Sequence, residues 1–457
     1  MDALNFFFHA VCLLLPLLIQ PAFTASENFQ GWSCDELTPD LCELHITEGH
    51  IPIHPDGLWV KYWKYSSSIP DAGSGIVDDQ GDSFGLPPAP APLIMLHGGP
   101  GMTHNYMLPL KQLACRPDRY GRTRDVYFYD QGGCGESMQT VNGRSDSNIN
   151  TTRLVEEHPY LLDPQYYATV ELPQIVKYLG FDDESGIGYH IVANSWGTIL
   201  AQYFVLNTPA KGLKSMTLSG PLSDGDLYAN SQWSTAETNN LGQLPPFLQK
   251  RIHTLEAENA YESEEYDDIN DFLTGHFTLR TQPAPDCFLA VFDGINRDIY
   301  VGLQGPSEFT FGGVLGGFNT TPGLSTINIP VALTSGEYDT MRPPVVDAIY
   351  REIPLSEWTI FNHSGHVSMI DDAGWMNDVV DDFLLRVEAS ASFEPLPHLC
   401  GPKDCLPKGS EEHPVKITSS GYSLSMVIFV AVSSFCAGAM AVYSWQNGRF
   451  SGYTTIY

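Results

Sequence analysis

The sequence predicts an α/β fold: a mostly parallel, doubly wound sheet with an inserted helical cap. Short apolar runs of strand length alternate with segments of helical periodicity. The runs lack polar alternation, as strands covered on both faces do. The rhythm stops over 224–326 and resumes at Ile329, which is how an insertion into such a sheet reads.

In chain order, Leu4 to Ile19 is apolar apart from Asn5 and His9 and leads into Pro21-Ala-Phe-Thr-Ala-Ser26. Residues 1–25 therefore read as a secretory signal peptide, although no Lys or Arg precedes the apolar stretch. The first part of the core spans 26–223. Its strands are expected at Leu93-Ile-Met-Leu, Val126-Tyr-Phe-Tyr, Tyr189-His-Ile-Val and Ser215-Met-Thr-Leu, with helices over 166–179 and 198–207. Ser66 to Pro92, rich in Gly, Pro, Ser and Asp, reads as a surface loop. The cap, 224–326, carries an acid-rich helical stretch from Glu256 to Asp271. The core resumes over 327–388 with strands at Val331-Ala-Leu-Thr and Trp358-Thr-Ile-Phe. Residues 389–421 read as a stalk. Residues 422–445 carry no charge, bear interfacial Tyr422, Tyr443 and Trp445, and are long enough to cross a bilayer as a helix. The polar tail 446–457 argues for a single-pass anchor over a cleaved lipid-anchor signal. The expected protein is a lumenal or extracellular body tethered to a membrane.

Composition narrows the function. With 23 Lys+Arg against 54 Asp+Glu the formal charge is −31, which excludes nucleic acid as a partner. An apolar share of 43% excludes a disordered acidic chain. Without Cys12 and Cys436, the body keeps Cys34, Cys42, Cys115, Cys134, Cys287, Cys400 and Cys405, an odd number that leaves a free thiol or an outside partner. Cys34–Cys42 and Cys400–Cys405 are the expected local bridges. No second Cys or His pair stands at ligand spacing, so neither metal nor cofactor is expected. Sequons at Asn150, Asn319 and Asn362 agree with secretion, and a glycan at Asn362 is expected to be absent or to point away from the site.

Three segments that end expected strands carry chemistry. Ala193-Asn-Ser195-Trp-Gly197 runs from strand into helix as a nucleophile elbow, with Ala193 where the pattern has its first Gly. His97-Gly-Gly-Pro-Gly101 offers backbone N–H groups of the kind an acyl-transfer oxyanion needs. Downstream, Gly336-Glu-Tyr-Asp339 and Ser364-Gly-His366 supply an acid and then a histidine, in the order Ser…Asp…His; His363 competes with His366.

Together with Asp130-Gln-Gly-Gly-Cys-Gly-Glu-Ser137 and Tyr300-Val-Gly-Leu-Gln-Gly-Pro-Ser-Glu308-Phe309, these segments resemble the proline iminopeptidase (prolyl aminopeptidase) family of α/β-hydrolase serine peptidases. The resemblance covers roughly Ile46 to Val387. It implies Ser195 as nucleophile, His366 as general base and Asp339 as its orienting acid. It further implies an oxyanion hole from the N–H groups of Gly99 and Trp196. Glu308, beside Tyr300, would hold the substrate's free amino group. Some relatives have a second Glu after the catalytic Asp, where this chain has Thr340, and many have Arg at the position of Glu136. The expected substrate is thus a peptide or amino-acid amide with a free N-terminus, with an amino-acid amidase or esterase, or an inactive anchored receptor, as alternatives.

Overall fold

The computed structural model describes residues 33–53, 58–69, 89–138, 140–141, 144–145, 151–182, 187–233, 241–389 and 392–397. The signal peptide, membrane helix, tail, Asn150, Cys400 and Cys405, and most of the stalk and of the 66–92 loop, lie outside them. Among the described residues no helix is long and apolar enough to cross a membrane.

The main sheet has eight strands: β1 (Leu44–Pro52), β2 (Trp59–Ser67), β3 (Leu93–Leu96), β4 (Val126–Tyr129), β5 (Tyr189–Asn194), β6 (Leu213–Ser219), β7 (Val331–Gly336) and β8 (Ser356–Phe361). Their order is β1-β2-β4-β3-β5-β6-β7-β8. From β4 onward neighbours are parallel, whereas β1–β2 and β2–β4 are antiparallel. The chain moves from β3 outward to β4, then crosses back to β5 on the other side of β3. This reversal opens a crevice beyond the carboxyl ends of β3 and β5, where open α/β sheets bind ligands.

β3, β5 and β7 are buried along their whole length. Alternate residues feed two cores, because successive side chains of a strand point to opposite faces. Ile94, Leu96, Ile191, Ala193 and Leu333 join α1 (Leu172–Tyr178) and α2 (Trp196–Asn207) on one face. Leu93, Met95, Val192 and Ala332 meet the 3-10 segment Asn105–Cys115 and the final helix on the other.

Between β6 and β7 the chain leaves the sheet through α3 (Gly225–Trp233), α4 (Pro246–Ala257), α5 (Glu264–Leu273), α6 (Asp286–Asp293) and α7 (Arg297–Leu303). Leu241, Ile252, Leu273, Phe277 and Phe309 form a small apolar cluster of their own there. After β7 come α8 (Pro343–Glu352) and α9 (Ala373–Ala389).

The cysteine pairing differs from the sequence expectation. Cys34 bonds Cys287, 253 residues away on α6, and Cys42 bonds Cys115, 73 residues away. Spacing along the chain favoured Cys34–Cys42, but the fold brings each to a distant partner with Cα atoms 5.8 and 5.5 Å apart. Cys134 is free and buried.

Candidate active site

Strand register assembles the site. Leu96 pairs Ala193 across β3 and β5, so His97-Gly98 and Asn194-Ser195 leave the sheet side by side. Asn194 pairs Ser219, Ser219 pairs Thr334, and Gly336 pairs Phe361. The loops bearing Ser195, Gly220, Asp339 and His366 therefore emerge along one edge.

Ser195 sits at the sharpest turn of that edge, with φ 54° and ψ −125°. A non-glycine residue in this region is strained, and the surroundings hold it there. The Ser195 N–H donates to the Ser219 carbonyl at 3.0 Å. The next residues must be small for α2 to start so close: a Cβ on Gly197 would overlap the Leu96 carbonyl. Ala193, buried in the core, satisfies the same requirement before the turn.

The Asp339 and His366 side chains meet at 2.7 Å, Oδ1 to Nδ1, and both are almost fully buried. The Met341 N–H also donates to that Asp339 oxygen, at 2.8 Å. With its Nδ1 proton committed to Asp339, His366 presents Nε2, which has no partner, as a base. Burial alone would lower the His366 pKa, but Asp339, with help from Glu308, holds it above the ordinary imidazole value. His363 is exposed and has no part in this pair; its carbonyl accepts from Arg280.

The glycine-rich loop lies against the serine. A Cβ on Gly98 would stand 2.6 Å from the Ser195 Cβ. Gly98 donates its N–H to the Tyr106 hydroxyl at 2.6 Å, and that hydroxyl donates to Asn194 Oδ1 at 2.8 Å. Asn194 in turn donates to the carbonyls of Ser219 and His366, at 3.1 and 3.3 Å. Gly99, at φ 51°, follows with its N–H unclaimed by any acceptor among the described residues. The Trp196 N–H belongs to the first turn of α2, where amides have no intrahelical acceptor and the dipole favours an anion.

Beneath the loop, the Trp196 indole donates to Gln131 Oε1 at 2.7 Å, and Gln131 donates its backbone N–H to His97 Nε2 and its side-chain amide to the His97 carbonyl, each at 3.0 Å. Burial pushes the His97 pKa down to about 4, so it serves as a neutral strut.

Glu308 reaches the same region. Its carboxylate accepts from Gln304 Nε2 at 2.7 Å and lies 3.4 Å from the Tyr228 hydroxyl. Tyr300 is buried next to it, 3.5 Å from Gln304. Thr340 is fully buried, and its carbonyl accepts from Gln232. Glu136 faces outward, 4.0 Å from Lys61.

Sequence reasoning missed three supports. Gly220, at φ 54°, passes under the imidazole: a Cβ there would stand 2.6 Å from the ring. Asp371 accepts from the Gly365, Arg280 and Thr281 N–H groups, tying the histidine loop to the segment before α6. The Tyr106–Asn194 bond joins two motifs that the sequence shows only separately. Gly220 directly follows β6, and nothing in its sequence context pointed to the histidine.

A family model described as "alpha/beta hydrolase fold" matches residues 91–373, more than half of the chain. The proline iminopeptidase of Heyndrickxia coagulans is 33% identical over 297 residues, 64% of this chain and 90% of that protein. That of Clostridioides difficile is 31% identical over 62% of this chain and 85% of its own length. The chain belongs to the proline iminopeptidase family. The crystal structure of the Mycobacterium smegmatis proline iminopeptidase shares the fold at a TM-score of 0.57 and 22% identity, covering 76% of this chain and all of that one. That of VinJ does so at 0.56 and 23%, over 74% of this chain and 98% of its own. The protein is thus a hydrolase, and the sequence expectation of an α/β-hydrolase fold holds.

Proposed function

We propose that this protein is a serine aminopeptidase that releases N-terminal residues, proline favoured, through an acyl-enzyme. Glu308 carries the reading: a carboxylate held, among the described residues, by neutral donors and in electrostatic reach of His366. The Ser195 hydroxyl attacks the scissile carbonyl while His366 Nε2 takes its proton. The Gly99 and Trp196 N–H groups receive the oxyanion, and loss of one such donor typically costs ~10²–10³ in turnover. His366 then gives the proton to the departing amine, and water releases the acyl group by the same steps in reverse order. Glu308 fixes the substrate's ammonium and so confines cleavage to the first residue. Support for proline comes from the names of the relatives. Thr340, in place of a second acid, keeps an amidase or esterase as the competing reading.

The compartment belongs to the proposal too. Two disulfides between distant parts of the body suit an oxidising environment, and they fit a secreted body tethered by 422–445. Cleavage of proline- and alanine-anilides against esters lacking an amino group tests the activity. Preference for the amine-free esters would overturn it, as would a fluorophosphonate probe that labels wild type no more than Ser195→Ala.

A further inference from the structure

The support of Glu308 has an unusual composition. Gln304 caps the C-terminus of α7, and Gly305, at φ 120°, turns the chain so sharply that a Cβ there would stand 2.6 Å from the Thr310 carbonyl. The loop thereby folds back and sets Glu308 over Gln304. Gln304 is anchored at both ends of its backbone: its N–H donates to the Tyr300 carbonyl at 2.8 Å, and its carbonyl accepts from Gly312 at 2.6 Å. From this base its amide donates to Glu308 Oε2 at 2.7 Å. On the other side the Tyr228 hydroxyl donates to the Glu308 carbonyl at 2.9 Å and lies 3.4 Å from Oε1. Gln304 is 4% exposed and Tyr228 fully buried, whereas Glu308 is half-buried. Among the described residues no Lys or Arg forms an ion pair with Glu308.

An arginine in this position would orient the carboxylate equally well but cancel its charge. Neutral donors orient it and leave the charge for a ligand. We propose that Gln304 and Tyr228 are positioning residues that hold the Glu308 carboxylate, un-neutralised and in one orientation, for the ammonium of a substrate's free N-terminus. The proposal rests on the amine-anchor reading given above.

Steady-state kinetics of Gln304→Met and Tyr228→Phe, with Glu308→Gln alongside, test it on alanine- and proline-anilides and on an ester lacking an amino group. Losing a hydrogen bond to a charged group lowers binding by about tenfold or more. Gln304→Met is therefore expected to raise anilide KM about tenfold, and Tyr228→Phe, which loses a bond to the Glu308 main-chain carbonyl and only a 3.4 Å contact to its carboxylate, to raise it less, with kcat changed less than about threefold in both. The ratio of anilide to ester kcat/KM should fall by a similar factor. Equal losses on anilide and ester would mark a general structural role and overturn the proposal, and so would an unchanged anilide KM. If Glu308→Gln itself leaves anilide KM unchanged, the anchor reading fails and this inference with it. If Glu308→Gln raises KM and neither positioning variant does, only the inference fails.

Discussion

Replacing Glu171 with glutamine is expected to make the protein's stability less sensitive to a rise in pH from about 5.5 to 8. Pro173 has no amide to give the Thr169 carbonyl, and the chain takes a wide π turn over Tyr167–Glu171 before α1 begins. That turn buries Glu171 completely beneath the loop that carries Gln131. One carboxyl oxygen accepts from the Gly132 N–H at 3.0 Å; among the described residues the other has no partner and no cation faces the group. Burial raises its pKa from 4.5 to about 8. The folded state therefore binds this proton across a range in which the unfolded chain has released it. The group's contribution is fully present below pH 4.5 and is lost as pH rises through about 8. At about 1.4 kcal/mol per pH unit, the loss between pH 5.5 and 8 is on the order of 3 kcal/mol. Glutamine retains an acceptor for Gly132 and has no proton to lose. Urea unfolding with the disulfides intact, run for both proteins at several pH values from 5.5 to 8.5, reads the difference directly. Stability of the variant relative to wild type should climb by about 3 kcal/mol across that interval. Parallel curves would refute the reasoning, because other titrating groups are common to both proteins.

Gly220→Ala places a methyl carbon 2.6 Å from the His366 ring, and kcat/KM should drop on the order of 10²-fold in a folded protein; near-normal kinetics would show that the ring tolerates displacement. Tyr106→Phe leaves the Gly98 N–H and Asn194 Oδ1 unpaired in a buried place, so unfolding free energy should decrease by about 1–3 kcal/mol, checked by denaturant titration. In the proposed mechanism His366 acts as a neutral base; with Asp339 holding its pKa up, the acid limb of kcat/KM should lie above pH 6.5 and move down in Asp339→Asn. The pair Cys42→Ser and Cys115→Ser should lower stability by about 2–5 kcal/mol, and peptide mapping without reduction should recover the Cys42–Cys115 link.

The inner strands were legible because strands buried on both faces are written as unbroken apolar runs. β3 and β4 occupy the expected residues, and β5 through β8 extend them by a few. β1 and β2 were not legible. They pair antiparallel at the sheet's edge, β1 is largely exposed, and its Thr47-Glu48-Gly49 carries no apolar pattern to read. The bridges Cys34–Cys287 and Cys42–Cys115 escaped for a different reason: local spacing says nothing about residues brought together by a sheet and an inserted set of helices.

The sequence by itself determined the fold class and named the candidate groups in the order in which the chain delivers them: the glycine-rich loop, Ser195, Glu308, Asp339 and His366, each in a short motif. Only the tertiary structure decided what those groups face. Strand register sets Asp339 2.7 Å from His366, Gly220 makes room under the imidazole, and Gln304 and Tyr228 hold Glu308 without cancelling its charge. Motifs record covalent neighbours. The charge, proton affinity and orientation of a buried side chain depend on neighbours through space, and for this protein those come from strands and helices far apart in the chain.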